Sequence, residues 1–173
     1  MINLRKDENN HDYSLSSYNQ SIAKVLVIED QEYQLEALHE ILIIRGYSPT
    51  SAKNAQEGLD YVMGNTYDIA LIDIMLPDGN GLDLLKLFSA NFKHMSNIIM
   101  TGHWSLEIAS KAMALGADGY LEKPFEFETL EQLMIKCLDK KKKIEDDEIN
   151  QISLRSSQKH DEREIDLMNR FYK

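Results

Sequence analysis

The chain has 173 residues, 43% of them hydrophobic, and carries a formal net charge of −10. That length accommodates one ordinary domain with extensions, and the apolar content excludes a chain that is disordered throughout. The sequence has no apolar run of the roughly 20 residues that span a bilayer, and it has no apolar core of a signal peptide. Its single cysteine, Cys137, cannot form an internal disulfide. We therefore expect a cytoplasmic protein with no membrane partner. The excess of acids over bases at 23–138 argues against direct nucleic-acid binding.

Short apolar runs alternate with segments of helical periodicity along most of the chain. Residues 1–22 come first and have no sustained pattern, which predicts a flexible leader. The apolar runs then predict strands at 25–28, 47–52, 69–72, 98–100 and 119–121. The periodic segments between and after them predict helices at 31–45, 55–63, 82–90, 106–115 and 127–138. Continuous apolar strands that alternate with amphipathic helices are typical of an α/β fold, in which helices cover both faces of a parallel sheet.

The last segment, 139–173, is charged in blocks. Lysines occupy 140–143 and acidic residues occupy 145–148. The apolar residues among them are too irregularly spaced to predict a coiled coil. We expect a solvated, partly helical tail.

Four of the five predicted strands end beside a side chain that can bind a cation or a phosphoryl group. These side chains are Glu29 and Asp30, Asp73, Thr101 and Lys123. The carboxyl ends of parallel strands lie along one edge of an open sheet, where ligands bind. We therefore expect these side chains to meet in one shallow pocket.

The chemistry of this set suits phosphoryl transfer. Three clustered carboxylates repel one another, and a hard divalent cation such as Mg²⁺ relieves the repulsion while retaining positions for other oxygen ligands. Asp73 could then act as a nucleophile that forms an acyl phosphate. The charge of Lys123 and the hydroxyl of Thr101 could bind the oxygens of the transferring group.

Four motifs occur in order along 23–138: VLVIED, LIDIMLPDGNGLDLL, IIMTGH and GADGYLEKPF. With them the chain resembles a bacterial two-component response-regulator receiver domain of the CheY-like type. The resemblance implies a flavodoxin-like, doubly wound sheet of five parallel strands in the order 2-1-3-4-5, flanked by five helices. It also divides the chain into a leader at 1–22, a receiver domain at 23–138 and a tail at 139–173.

The resemblance implies roles for the acidic residues. Asp73 resembles the phosphoacceptor of the family. The Mg²⁺ site would comprise Asp73 itself, Asp30 as a direct ligand, Glu29 through a water molecule, and the backbone carbonyl of Met75. Met75 has an apolar side chain that cannot orient an attacking water molecule, so we also expect slow self-dephosphorylation.

The resemblance implies a second set of roles in the last two motifs. Thr101 resembles the switch hydroxyl that turns toward the phosphoryl group, and Tyr120 resembles the switch aromatic that moves inward with it. Lys123 resembles the phosphoryl-binding lysine, and the bond between Lys123 and Pro124 is expected to be cis.

The function implied is a phosphorylation-dependent signalling switch. The phosphoryl donor would be the phosphohistidine of a sensor histidine kinase or a histidine phosphotransfer protein. The output would be a contact with a downstream protein, or homodimerisation, through the face made by the fourth helix, fifth strand and fifth helix. Such a domain catalyses only its own phosphorylation and dephosphorylation. A haloacid-dehalogenase-type phosphatase is disfavoured because Met75 stands where that family has a second acid. A phosphorylation-independent binding module and a phosphorelay intermediate stay open.

Overall fold

The computed structural model describes residues 22–103 and 105–171, with the backbone alone described at 145, 148 and 153–171. Its strands are β1 (Lys24–Ile28), β2 (Ser48–Ala52), β3 (Ile69–Asp73), β4 (Met75–Leu76), β5 (Gly79–Asn80), β6 (Ser96–Thr101) and β7 (Gly119–Glu122). Its helices are α1 (Glu32–Ile44), α2 (Ala55–Gly64), α3 (Gly81–Asn91), α4 (Leu106–Ala114) and α5 (Phe127–Phe171). The predicted leader lies outside the described residues, apart from Ile22.

Five strands form one parallel sheet in the order β2-β1-β3-β6-β7. The two-residue strands β4 and β5 form a separate antiparallel hairpin. When the five long strands are counted alone, their order is therefore 2-1-3-4-5. The prediction of a flavodoxin-like α/β fold with five helices is confirmed.

Strand β1 shows why the fold has two layers of helices. Leu26 and Ile28 pack into one buried apolar cluster, which includes residues of α2, α3 and α4. Val25 and Val27 point the other way, into a second cluster formed with α1 and α5. Successive side chains of a strand alternate between its faces, so a strand that is apolar throughout requires cover on both.

The ends of two helices agree with the sequence. Gly46 and Gly116 follow α1 and α4, with φ angles of 87° and 98°. This left-handed conformation is favourable for glycine and terminates helices.

The end of the last helix does not agree with the sequence analysis. The predicted helix ended at residue 138 and was followed by a partly helical tail, whereas α5 is continuous to Phe171 and is 45 residues long. The sequence between these points contains neither glycine nor proline, so no residue in it breaks a helix. Among the α5 residues whose side chains are described, the last that belong to or pack against the buried clusters are Cys137 and Leu138. The limits of the predicted domain, 23–138, stay a prediction. Among the described helices, none combines the length and hydropathy that a membrane span requires.

The first turn of α2 is capped from two directions. The side chain of Asn54 accepts a hydrogen bond from the backbone N–H of Glu57 at 2.8 Å. Asp78, in the turn between β4 and β5, accepts from the N–H groups of Ala55 and Gln56 at 2.8 and 2.9 Å. These two hydrogen bonds lower the pKa of Asp78 below its ordinary value of 3.8. The turn is thus fixed to α2 by a charge-assisted cap.

This cap predicts a pH-dependent difference in stability. Asp78→Ala should melt at a lower temperature than the wild type at pH 7. A carboxylate whose pKa is lowered on folding stabilises the fold above its unfolded pKa, and this stabilisation disappears as the pH falls through the lower, folded value. The difference in melting temperature should therefore shrink below about pH 3.8. Asp60→Ala, on α2, is the control. An equal fall in melting temperature in both variants would contradict the capping role of Asp78.

Candidate functional site

The carboxyl edge of the sheet brings together side chains from four strands. Asp73 and Thr101 are the last residues of β3 and β6. Glu29 directly follows β1, and Lys123 directly follows β7. Because all these strands run parallel, their ends lie on one side of the sheet.

Three carboxylates form a compact acidic cluster. One oxygen from each of Glu29, Asp30 and Asp73 lies within 4.8 Å of the others. Glu29 and Asp73 are buried, with 0% and 4% of their surfaces exposed, whereas Asp30 is exposed. Burial raises the pKa of Glu29 above its ordinary value, against the opposing effect of Lys123, and the charge of Asp73 raises it further. A set of hard oxygen donors with one member open to solvent suits a cation such as Mg²⁺.

Lys123 supplies the positive charge of the site. Its Nζ donates a hydrogen bond to Oδ2 of Asp73 at 2.8 Å and also pairs with Oε2 of Glu29. The lysine side chain is only 12% exposed, so this three-residue ion network is largely shielded from water. The bond between Lys123 and Pro124 is cis, as expected.

Met75 lies beside the acidic cluster. Its backbone N–H donates to Oδ1 of Asp73 at 3.2 Å, and its side chain is 66% exposed. With Lys123 on the other oxygen, both oxygens of the Asp73 carboxylate have a donor. The predicted role of the Met75 carbonyl as a metal ligand stays a prediction.

Among the described residues, neither Thr101 nor Tyr120 forms a side-chain hydrogen bond to the acidic cluster. The Thr101 hydroxyl accepts a hydrogen bond from the backbone N–H of His103 at 3.1 Å, and the Thr101 carbonyl accepts one from the N–H of Lys123 at 2.7 Å. The Tyr120 ring packs against the apolar cluster that contains Phe88. Its hydroxyl oxygen is buried and has no hydrogen-bond partner among the described residues. Burial raises the pKa of Tyr120 above its ordinary value.

A cavity of about 680 Å³ opens beside Asp73. Part of its wall comes from α1, including Tyr33, Gln34 and Leu38, and part from Lys123 and the residues that follow it. The sequence analysis did not include the α1 residues, because their spacing indicated only an amphipathic helix. The sequence signal that could have drawn attention to this wall was Tyr33, an aromatic residue near the start of the predicted helix, which is 84% exposed in the structure.

Comparison with known proteins agrees with this arrangement. Residues 25–135 match the family model described as the response regulator receiver domain. The transcriptional regulatory protein CusR of Escherichia coli K12 is 36% identical over 107 residues, which cover 62% of this chain and 47% of that protein. The chain spans about half the length of the curated relatives it matches.

Solved structures show the same fold. A CheY-like receiver domain protein from Methanospirillum hungatei superposes with a TM-score of 0.68 at 32% identity, covering 71% of this chain and 98% of the other. The response regulator TrrA from Thermotoga maritima, solved in complex with Mg²⁺-BeF, superposes with a TM-score of 0.61 at 29% identity, covering 66% and 98%.

Proposed function

Since the chain belongs to the response regulator receiver domain family, we propose that it is a phosphorylation switch whose phosphoacceptor is Asp73. Receiver domains are signalling modules of two-component systems and not classical enzymes. The observation that carries the proposal is the geometry around Asp73: a buried carboxylate at a strand end, within an acidic cluster, 2.8 Å from the Nζ of Lys123.

The donor we propose is a phosphohistidine on a sensor histidine kinase or a histidine phosphotransfer protein. An oxygen of Asp73 forms a bond to phosphorus while the bond between phosphorus and the donor's imidazole nitrogen breaks. The electron pair of that bond returns to the imidazole, which takes up a proton as it leaves. Lys123, already bonded to Asp73, stabilises negative charge on the transferring group, and Thr101 supplies a hydroxyl after a rotation away from His103.

Mg²⁺ fits the donor set of this site. Asp30 and Asp73 would bind it directly, Glu29 through water, and the Met75 carbonyl would complete the protein ligands. When bound, the cation would neutralise the acidic cluster and bind phosphoryl oxygens. The exposed position of Asp30 gives it access from solvent.

The switch we propose joins Thr101 and Tyr120 to the face formed by α4, β7 and α5. A buried hydroxyl without a partner costs about 1–3 kcal/mol, and this penalty favours a Tyr120 position in which the hydroxyl reaches water over the one seen here. Phosphorylation that draws Thr101 toward Asp73 would select between these positions. The exposed Leu106 and Met113 of α4 offer apolar contacts for a downstream protein or a second copy on that face.

The central test is the covalent state of Asp73. Incubation with acetyl phosphate and Mg²⁺ should add one phosphoryl group to the wild type by intact-mass spectrometry, and nothing to Asp73→Asn. Asp83→Asn, an exposed site on α3, is the matched control and should be modified like the wild type. An unmodified wild-type chain would favour the alternative, a receiver that acts only as a phosphorylation-independent binding module.

Met75 should control the lifetime of the acyl phosphate. Its exposed thioether side chain lines the cavity at Asp73 and orients attacking water poorly. Met75→Asn offers an amide to water, and one hydrogen bond of about 1 kcal/mol in the transition state speeds hydrolysis by roughly five- to tenfold. The decay of the phosphorylated mass measures this rate. Met63→Asn, an exposed methionine on α2, is the control, and an unchanged lifetime in Met75→Asn would overturn this idea.

A further inference from the structure

Helix α5 continues through the predicted tail and therefore aligns a stripe of residues along one side of the helix. This stripe was not predicted from the sequence, because the apolar residues of the tail were taken to be irregularly spaced. The core-facing side of this helix carries Leu130, Met134 and Cys137. A different side carries positions separated by alternating steps of three and four residues, the pattern of a two-helix seam. These positions are Ile135, Leu138, Lys142, Glu145, Ile149 and Ile152.

The apolar members of this stripe face solvent to a large extent. Ile135, Ile149 and Ile152 are 46%, 61% and 64% exposed, whereas Leu138 is half-buried and also packs against the buried cluster of its own domain. Two apolar pairs thus flank a central polar pair, Lys142 and Glu145. Apolar residues repeated at this spacing on an exposed helix gain free energy by packing against a second helix.

We propose that two copies of this chain associate through α5 in an antiparallel arrangement. In one register of an antiparallel pair, the two-fold axis lies between residues 143 and 144. Each residue is then opposite the residue of the second copy that lies equally far from the axis on its other side. Ile135 then lies opposite Ile152 of the second copy, and Leu138 lies opposite Ile149 of the second copy. Both apolar pairs match in the same register.

The charges at the centre of the stripe favour the antiparallel orientation and a second copy of this chain as the partner. The same register places Lys142 opposite Glu145 of the second copy. An in-register parallel pair would instead place lysine against lysine and glutamate against glutamate at the centre of the seam, which is repulsive. In this register Lys140 and Lys141 also lie at the level of Asp147 and Asp146 of the other helix, so the centre of the segment is complementary to itself.

The arrangement closes on two copies, and no seam residue belongs to the acidic cluster or to the described wall of the cavity beside it. Its two-fold symmetry forms a dimer and not a filament. The inference goes beyond the switch proposed above and does not depend on phosphorylation. It is therefore tested on the full, unphosphorylated chain.

Orientation is tested by disulfide trapping. Positions 135 and 152 are separated by about 26 Å along one helix at 1.5 Å per residue. Under mild oxidation, Ile135→Cys and Ile152→Cys should each stay uncrosslinked alone and should form a mixed disulfide-linked dimer when combined. The wild type, with only the buried Cys137, is the control. A disulfide between two copies of Ile152→Cys would establish a parallel pair and overturn the proposal, as would no crosslink in the mixture.

Charge exchange supplies an independent test. The wild type should show concentration-dependent dimerisation by sedimentation equilibrium. Lys142→Glu opposes glutamate to glutamate and should weaken the dimer at least tenfold, and the combined Lys142→Glu and Glu145→Lys variant should restore it. Lys142 is exposed and both substitutions introduce helix-forming residues, so folding, checked by circular dichroism, should be unchanged. A wild type that stays monomeric at millimolar concentration, or a combined variant without recovery, would overturn the proposal.

Discussion

Lys123→Met should lower the free energy of unfolding at neutral pH by about 3–5 kcal/mol, the usual result of removing one partner from a buried ion network. Lys123 is the cation that contacts both Glu29 and Asp73, and those two side chains are 0% and 6% exposed. Without it, two buried carboxylates repel each other in a shielded environment. Denaturant titration monitored by circular dichroism measures the loss.

Two further measurements separate this cause from a loss of packing. Adding Asp73→Asn to Lys123→Met should recover part of the lost stability, because one of the two repelling charges is removed. Millimolar Mg²⁺ should also stabilise the Lys123→Met variant, by mass action on the folded state. Lys86→Met, an exposed lysine on α3, is the control. If the double variant is as unstable as Lys123→Met alone, charge is not the reason.

Gly81→Ala should strongly destabilise the fold, because the added methyl group would clash with the backbone of Asp73 at the carboxyl edge of the sheet. A Cβ at Gly81 would lie 2.0 Å from the backbone oxygen of Asp73 and 2.9 Å from its carbonyl carbon. These are backbone atoms of the phosphoacceptor strand and cannot rotate away. Overpacking typically costs about 1–3 kcal/mol, and this contact should reach or exceed the upper value.

The neighbouring glycine provides a matched control. A Cβ at Gly79, two residues earlier in strand β5, would meet no atom within 4 Å. Gly79→Ala should therefore fold and accept phosphate like the wild type, whereas Gly81→Ala should lose stability or displace Asp73 and slow its phosphorylation. Thermal denaturation and the rate of mass increase with acetyl phosphate report the two effects. Equal behaviour of the two variants would show that the loop absorbs the clash.

The edge residues were predictable because each is adjacent to a strand with a strong sequence signal. The runs before Glu29 and Asp73 are short, apolar and contain several β-branched residues, and they are buried at both faces of the sheet. Once such strands are parallel, their ends must share an edge. The placement of Asp73, Lys123 and the acidic cluster could therefore be expected from the sequence.

Three features could not be predicted in the same way. Strands β4 and β5 contain two residues each, too few to show a period. The α1 wall of the cavity comes from residues whose spacing indicates only a helix that packs on a sheet. The continuation of α5 past residue 138 depends on the absence of a helix breaker, while the fall in apolar content suggested an end.

Hydrophobic periodicity is a local signal, so the sequence by itself determined the α/β class and which reactive groups share the carboxyl edge of the sheet. The strand order followed from the family's motifs. Only the tertiary structure decided how those groups pair. The bonds of Lys123 to Asp73 and Glu29 join residues 50 and 94 positions apart, and the unpartnered Tyr120 hydroxyl depends on what packs around it. Such contacts arise from the three-dimensional approach of distant segments, which no local pattern specifies.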